Sequence, residues 1–158
     1  MRRREKEITD SNRIADLLAR AAVCRLAIHD SAFPYVVPLN FVFIGSCLYF
    51  HSAREGKKLD LIRLNGHVGF EVDTQFAILS AEQACGWGTD FESIIGKGIA
   101  SVVADETERD MALRKLMLKY SGREDWVFAS ENTEKIAVVR VRVIGMTGKA
   151  SVSNRNYT

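Results

Sequence analysis

Proline is nearly absent from this chain, with two residues in 158, and cysteine is scarce, with three. Cys24, Cys47 and Cys85 are odd in number and far apart. They form no C-x-x-C pair, so neither a zinc site nor a disulfide framework follows, and no metal is expected. Free thiols point to a reducing compartment, and a cytoplasmic location is expected. No run of about eighteen apolar residues exists, so no membrane-spanning helix is expected. The basic start carries no apolar segment before Asp10, which speaks against a signal peptide. An excess of charge of one sign is missing too: 22 Lys and Arg against 20 Asp and Glu leave a net charge of +2. That balance does not build the strongly basic face of a nucleic-acid binder. Arg2-Arg3-Arg4 runs straight into Glu5-Lys6-Glu7 and reads as a solvated tail.

What remains is ordinary for a globular protein, with 47% apolar and 27% charged residues. A chain of this length makes one domain, 1–158, and buries roughly 70% of its unfolded surface without staples. The sequence has no internal repeat, low-complexity block or linker.

Hydrophobic periodicity places the elements. Ile14, Leu17, Leu18 and Ala21 fall on one face of a helix, with Asp10 or Ser11 as N-cap. From Val23 the period changes to two, and Cys24, Leu26 and Ile28 mark a strand. Asp30-Ser31 turns the chain into a second strand, Tyr35 to Phe43. Pro38 inside it cannot donate to a ladder, so an edge, a bulge or a ligand must lie there. Gly45-Ser46 leads tightly into a third strand, Cys47 to His51, giving an antiparallel hairpin. Lys57 to Leu64 reads as a helix stopped by Gly66 after Asn65. Val68, Phe70 and Val72 mark a fourth strand, and Ser80 to Asp90 reads as loop. Ser93 to Val103 is a long strand with a bend or close approach at Gly96 and Gly98. Asp105 and Glu108 open a helix with the stripe Leu113, Leu116, Met117 and Tyr120, closed by Gly122. Lys135 to Ile144 is the last strand. Short turns between strands predict an antiparallel sheet that removes its edges by closing, a small β-barrel with peripheral helices.

The densest polar cluster, His51 to Lys58, lies where a strand ends and a helix begins. Such a junction offers free N–H groups and the positive end of the helix dipole to an anion. Lys57 and Lys58 are misplaced by helix electrostatics alone, which leaves two readings: a pair facing solvent, or a pair facing a phosphate. His51 is open between a satisfied core histidine, a ligand donor and a proton carrier. His29 and His67 have no ligand spacing to it. Cys85-Gly86-Trp87-Gly88 is either a loop around a buried aromatic or an indole that stacks on a conjugated ring. Ser93 either bonds a ligand or sits on a strand surface.

Several stretches together resemble a known family. Tyr49-Phe50-His51-Ser52-Ala53, Gly56-Lys57-Lys58 and Asn65-Gly66-His67-Val68-Gly69-Phe70 are similar to the FMN-binding split barrels related to pyridoxamine 5'-phosphate oxidase. Pro34-Tyr35-Val36-Val37-Pro38-Leu39-Asn40-Phe41, Phe91-Glu92-Ser93-Ile94-Ile95-Gly96 and Met146-Thr147-Gly148-Lys149 fit as well. The likeness runs from the first helix to Lys149, and its nearest branch is the nitroimidazole-resistance type.

The resemblance implies a homodimer that holds FMN at the subunit interface. Val37, Pro38, Leu39 and Asn40 would then run beside the isoalloxazine. Lys57 and Lys58 would hold the phosphate with help from the Ser52 hydroxyl. Cys85, Trp87 and Ser93 would approach from the partner subunit, and His51 would be the candidate active-site residue. The chain departs from the oxidases proper at its end, where their arginine-rich grip on the vitamin phosphate is missing, so oxidation of pyridoxamine phosphate is not expected. The resemblance instead implies an FMN-dependent reductase of small acceptors such as nitroaromatics. NAD(P)H is the candidate donor and docks only transiently, since no Rossmann glycine fingerprint is present. The alternatives are a non-catalytic flavin-binding module for storage or sensing, and a related barrel that binds haem or a deazaflavin.

Overall fold

The computed structural model describes residues 4–123, 125–128 and 135–151. Their order is β1 (Glu7–Ile8), α1 (Ser11–Arg20), β2 (Cys24–Ile28), β3 (Tyr35–Leu39), β4 (Val42–Ile44), β5 (Cys47–Ala53), α2 (Lys57–Leu64), β6 (His67–Leu79), β7 (Gly88–Val102), α3 (Glu106–Ser121) and β8 (Ile136–Ser151). The capping residues act as their chemistry directs. Asp10 accepts the Asn12 N–H at 2.8 Å to open α1. Asp105 accepts the Glu108 N–H at 2.7 Å to open α3.

Seven strands form one path, β3-β2-β6-β7-β8-β5-β4, with β1 added against β8, and every pairing is antiparallel. Laid flat, the six gaps along that path would span about 29 Å at about 4.8 Å each. Yet β3 and β4, at opposite ends of the path, are joined by Asn40 and Phe41 alone. The link from Leu39 to Val42 can stretch no farther than about 11 Å between Cα atoms. The sheet must therefore curl round on itself, with the split between β3 and β4. This is the expected barrel with peripheral helices.

Alternation along the strands fills the inside. Leu26, Ile28, Leu48, Phe50, Val68, Phe70, Val72, Ile94, Val139 and Val141 meet there, joined by Leu17 and Leu18 of α1 and Leu59 and Ile62 of α2. A second cluster lies on the other face of β5 and β8, where Tyr49 and Val138 pack under Ala112, Leu113 and Leu116 of α3. Those two strands are thus buried on both faces.

Four expectations need correction. The strand predicted for Tyr35 to Phe43 is broken, because Phe41 turns fully into the core. Its N–H goes to the Tyr120 hydroxyl at 2.8 Å rather than to a ladder. The predicted loop from Ser80 to Asp90 is shorter, since β6 runs to Leu79 and β7 starts at Gly88, with one 3-10 turn at Ala84–Gly86 between them. The last strand continues past Ile144 to Ser151, paired with β7 along its length. Gly66 stands where a stop was expected, but it is not left-handed. A Cβ there would come within 2.5 Å of the Ala100 carbonyl, so close packing of two backbones requires the glycine. The bend expected at Gly96 and Gly98 is a shift of register between Lys97 and Gly98.

One buried charge ties α1 to the sheet. Glu92 on β7 is 6% exposed and accepts from Arg13 at 2.6 Å and from Arg20 at 2.9 Å. Burial pushes its carboxyl up, but the two guanidiniums outweigh that and hold it below the ordinary carboxylate value. A depressed carboxyl contributes stability above its unfolded pKa and loses it as pH falls through the folded one. Glu92→Gln should therefore cost about 1–3 kcal/mol at pH 7, discounted for the half-exposed arginines. Urea titrations should show the gap from wild type closing below about pH 4. A gap that stays constant with pH would contradict this account.

Candidate functional site

β5 sorts the polar cluster onto two faces. Phe50 belongs to the inner core and Tyr49 to the α3 side, so by the two-residue period Ser52 shares the side of Phe50 and His51 that of Tyr49. The register His51↔Val138 and Ser52↔Ala137 fixes both against β8.

On the Ser52 side the chain turns at Gly56, whose φ of 122° is a conformation L side chains rarely adopt. Gly56 caps α2 without any side-chain acceptor. The first N–H groups of a helix have no partner within it, so this end of α2 is receptive to an anion. Lys58 is half-buried with its ammonium 5.6 Å from the Phe50 ring centroid. Burial lowers its pKa, and among the described residues no carboxylate restores it. Lys57 is more exposed and lies 2.6 Å from Asp30 Oδ2, which raises its pKa, and 5.0 Å from the Tyr35 ring.

β3 is one end of the sheet path, so one of its edges carries no ladder. This answers the question posed by Pro38, which sits opposite Arg25 on that strand. Val37 and Leu39 pack on the core, whereas Val36 and Pro38 face outward, Val36 with 54% of its surface exposed. Asn40 follows directly and donates its amide to the Ala22 carbonyl at 3.3 Å.

The His51 side opens into a cavity of about 440 Å³ lined by Asn40, His51, Leu113, Leu116, Met117, Tyr120, Phe128 and Ile136. The structure therefore brings Asn40 and His51 together under α3. It sets Ser52, Lys57 and Lys58 apart from them, around the start of α2.

Cys85, Trp87 and Ser93 belong to a different region. β6 leaves α2 at His67 and reaches its tip only after Leu79, a strand of 13 residues, or about 40 Å of extended chain. Cys85 and Trp87 are exposed at that tip, and Ser93 lies on β7 opposite Asp73 and Lys149. Within one chain these three do not join the lysines.

Two residues escaped the sequence reading. Asp30 was visible only as a turn former, and nothing in the sequence pairs it with Lys57. Tyr120 read as part of an apolar stripe, yet its hydroxyl accepts from the Phe41 N–H at 2.8 Å and sits 2.8 Å from the Ala22 carbonyl. A tyrosine among leucines and methionine was the one available signal, since its hydroxyl end seeks hydrogen-bond partners.

The family model described as pyridoxamine 5'-phosphate oxidase matches residues 10–150. The chain belongs to the pyridoxamine 5'-phosphate oxidase family. A candidate 5-nitroimidazole antibiotic resistance protein from Bacteroides thetaiotaomicron is 29% identical, with a TM-score of 0.80 over 91% of this chain and 86% of the other. A flavocytochrome from Azotobacter vinelandii superposes with a TM-score of 0.83 at 17% identity, over 97% and 72% of the two chains. An FAD- and haem-binding protein from Mycobacterium smegmatis gives 0.81 at 16% identity, over 97% and 77%. The last two establish the split-barrel fold alone. A search of curated sequences finds no significant match. Among the described residues no helix is long and apolar enough to cross a membrane.

The oxidase-family barrel depends on Tyr120 holding the β3–β4 link. Tyr120→Phe should cost about 1–2 kcal/mol by leaving the Phe41 N–H without its acceptor. Amide exchange at Phe41 should quicken by a similar free energy. Unchanged exchange there would show that the hydroxyl is dispensable.

Proposed function

We propose that this family member binds FMN at a homodimer interface and passes electrons from a donor such as NAD(P)H to a small organic acceptor. The donor set at the start of α2 carries the reading. A phosphomonoester needs positive charge and hydrogen-bond donors together. Lys58, the Ser52 hydroxyl and the uncapped N–H groups after Gly56 supply them. Lys58 fits best, because a half-desolvated ammonium with no counter-ion among the described residues gains most from a phosphate. Lys57 joins only by turning from Asp30.

The rest of the chain supports the same assignment. The unladdered edge of β3, from Val37 to Asn40, offers backbone groups to a planar ring with polar edges. Cys85, Trp87 and Ser93 would approach such a ring from a second copy, as the family resemblance implies, which is the reason for the dimer. Free thiols at Cys24, Cys47 and Cys85 suit a cytoplasmic setting. When bound, the flavin supplies the redox chemistry. His51, on the outer face of β5, would hold or deliver a proton through an imidazole N–H, and small nitroaromatics are the acceptors to try first.

Lys58→Ala should weaken FMN binding by roughly tenfold to a hundredfold, the value of one charge-assisted contact. Riboflavin affinity should be low in wild type and unaffected by the change. Equal binding of riboflavin and FMN by wild type would refute the phosphate site.

Activity is tested separately on the purified protein. Its spectrum should show flavin bands without a Soret band, bleach with NAD(P)H, and recover with a nitroaromatic. Yellow protein that does not bleach would be a binding module. At matched FMN loading, His51→Ala should slow acceptor turnover ~100-fold, while affinity for FMN falls less than about tenfold. Normal turnover with reduced thermal stability would make His51 structural. Light scattering should give twice the chain mass, and a flavin-loaded monomer would exclude the shared site.

A further inference from the structure

We propose that the cavity between β5 and α3 is a binding site for an uncharged, flat aromatic molecule carrying a single hydrogen-bonding group. Its role as the acceptor site rests on the flavin reading above, but the binding itself does not.

The walls set the class of ligand. Leu113, Leu116 and Met117 come from α3, Ile136 opens β8, and Phe128 adds an aromatic ring. Among the described residues, no Lys, Arg, Asp or Glu lines the space. A charged ligand would leave water there without a compensating partner, at a cost of several kcal/mol. Glu108 on α3 is already held by Tyr49 at 2.8 Å and by Arg140 at 3.0 Å. The phosphorylated substrate of the oxidases proper would therefore be rejected.

The polar groups set the ligand's orientation. Tyr120 is occupied by Phe41 and Ala22, and one N–H of the Asn40 amide by Ala22. That leaves the second Asn40 N–H, its carbonyl oxygen and the His51 ring, for which no hydrogen bond is found among the described residues. One polar group on the ligand facing these two side chains, with an apolar body toward Met117, satisfies both surfaces. The volume of about 440 Å³ lies within the usual range for small-molecule sites. Methionine at the wall lets the space adapt to related rings.

The site is also separate from the phosphate donors, because His51 and Ser52 are neighbours on β5 and point to opposite faces. His51 stands at the boundary, with its ring exposed. A ligand in the cavity and a ring laid along β3 would thus meet at one imidazole.

Methyl-labelled protein at pH 8 tests this with two nearly isosteric probes, 4-methylbenzamide and 4-methylbenzoate. The neutral amide should shift the methyl signals of Leu113, Leu116, Met117 and Ile136 and saturate at or below millimolar concentration. The benzoate should bind at least tenfold more weakly. His51→Ala should weaken the amide several-fold, and Met117→Trp should abolish its binding while FMN loading is unchanged. Absence of shifts at these methyls, or equal binding of the two probes, would overturn the proposal whether or not the tryptophan variant folds. A protein that takes up no FMN yet binds the amide would overturn the flavin reading and leave this one standing.

Discussion

Two residues, Asn40 and Phe41, must carry the chain from one end of a seven-stranded path to the other, and the curl of the sheet follows from that restriction. Phe41 anchors the link by entering the core, and Tyr120 holds its backbone from outside. Lys119, one residue earlier on α3, adds a second hold: its ammonium lies 3.8 Å from the Phe41 ring centroid and donates to the Leu18 carbonyl at 3.0 Å. Burial drags that lysine down to about 8, a cost accepted where a single side chain reaches helix α1 and the link together. The position of α3 is thereby tied to the closure of the barrel. So is the cavity beneath it.

The same closure explains why neighbouring residues serve different surroundings. In an open sheet one face of β5 would meet solvent, and Tyr49 and His51 would be ordinary polar-face positions. Here α3 covers that face as far as Tyr49 and leaves His51 at the rim. The inner face ends at Ser52, beside a helix that begins without a side-chain cap. A one-residue step along β5 is all that separates an apolar cavity from a cluster of anion donors.

Local chemistry was legible in the sequence where it is governed by neighbours along the chain. The caps at Asp10 and Asp105, the stripe of α3, the period-two strands and the polar junction before α2 all follow from spacing. The pattern of short turns gave the barrel, and the quoted motifs gave the family. Features set by distant partners were not legible. Nothing near Phe41 marks it as the residue that leaves its strand, since its partner Tyr120 is 79 positions away. Asp30 beside Lys57 is of the same kind. The early start of β7 was not legible because Ser80 to Asp90 is rich in small residues, and pairing with β6 overrides such local preferences.

That long hairpin bears on how the molecule assembles. β2 accompanies β6 only to Val72, and β8 accompanies β7 only as far as Phe91. Beyond those points the ribbon has no neighbour on either side among the described strands, while Ile78 is 64% exposed and Trp87 55%. A two-stranded ribbon is at best marginal in water unless an apolar face is covered. Its reach matters more than its sequence: it carries an indole and a thiol far from the α2 lysines of its own chain. In the dimer proposed above, a twofold axis would give each tip the other copy's surface to pack on, and give each site the residues its own chain cannot deliver. A truncated hairpin would leave the barrel of one chain intact, with its core and its closure at Phe41, and remove what only a second copy can supply.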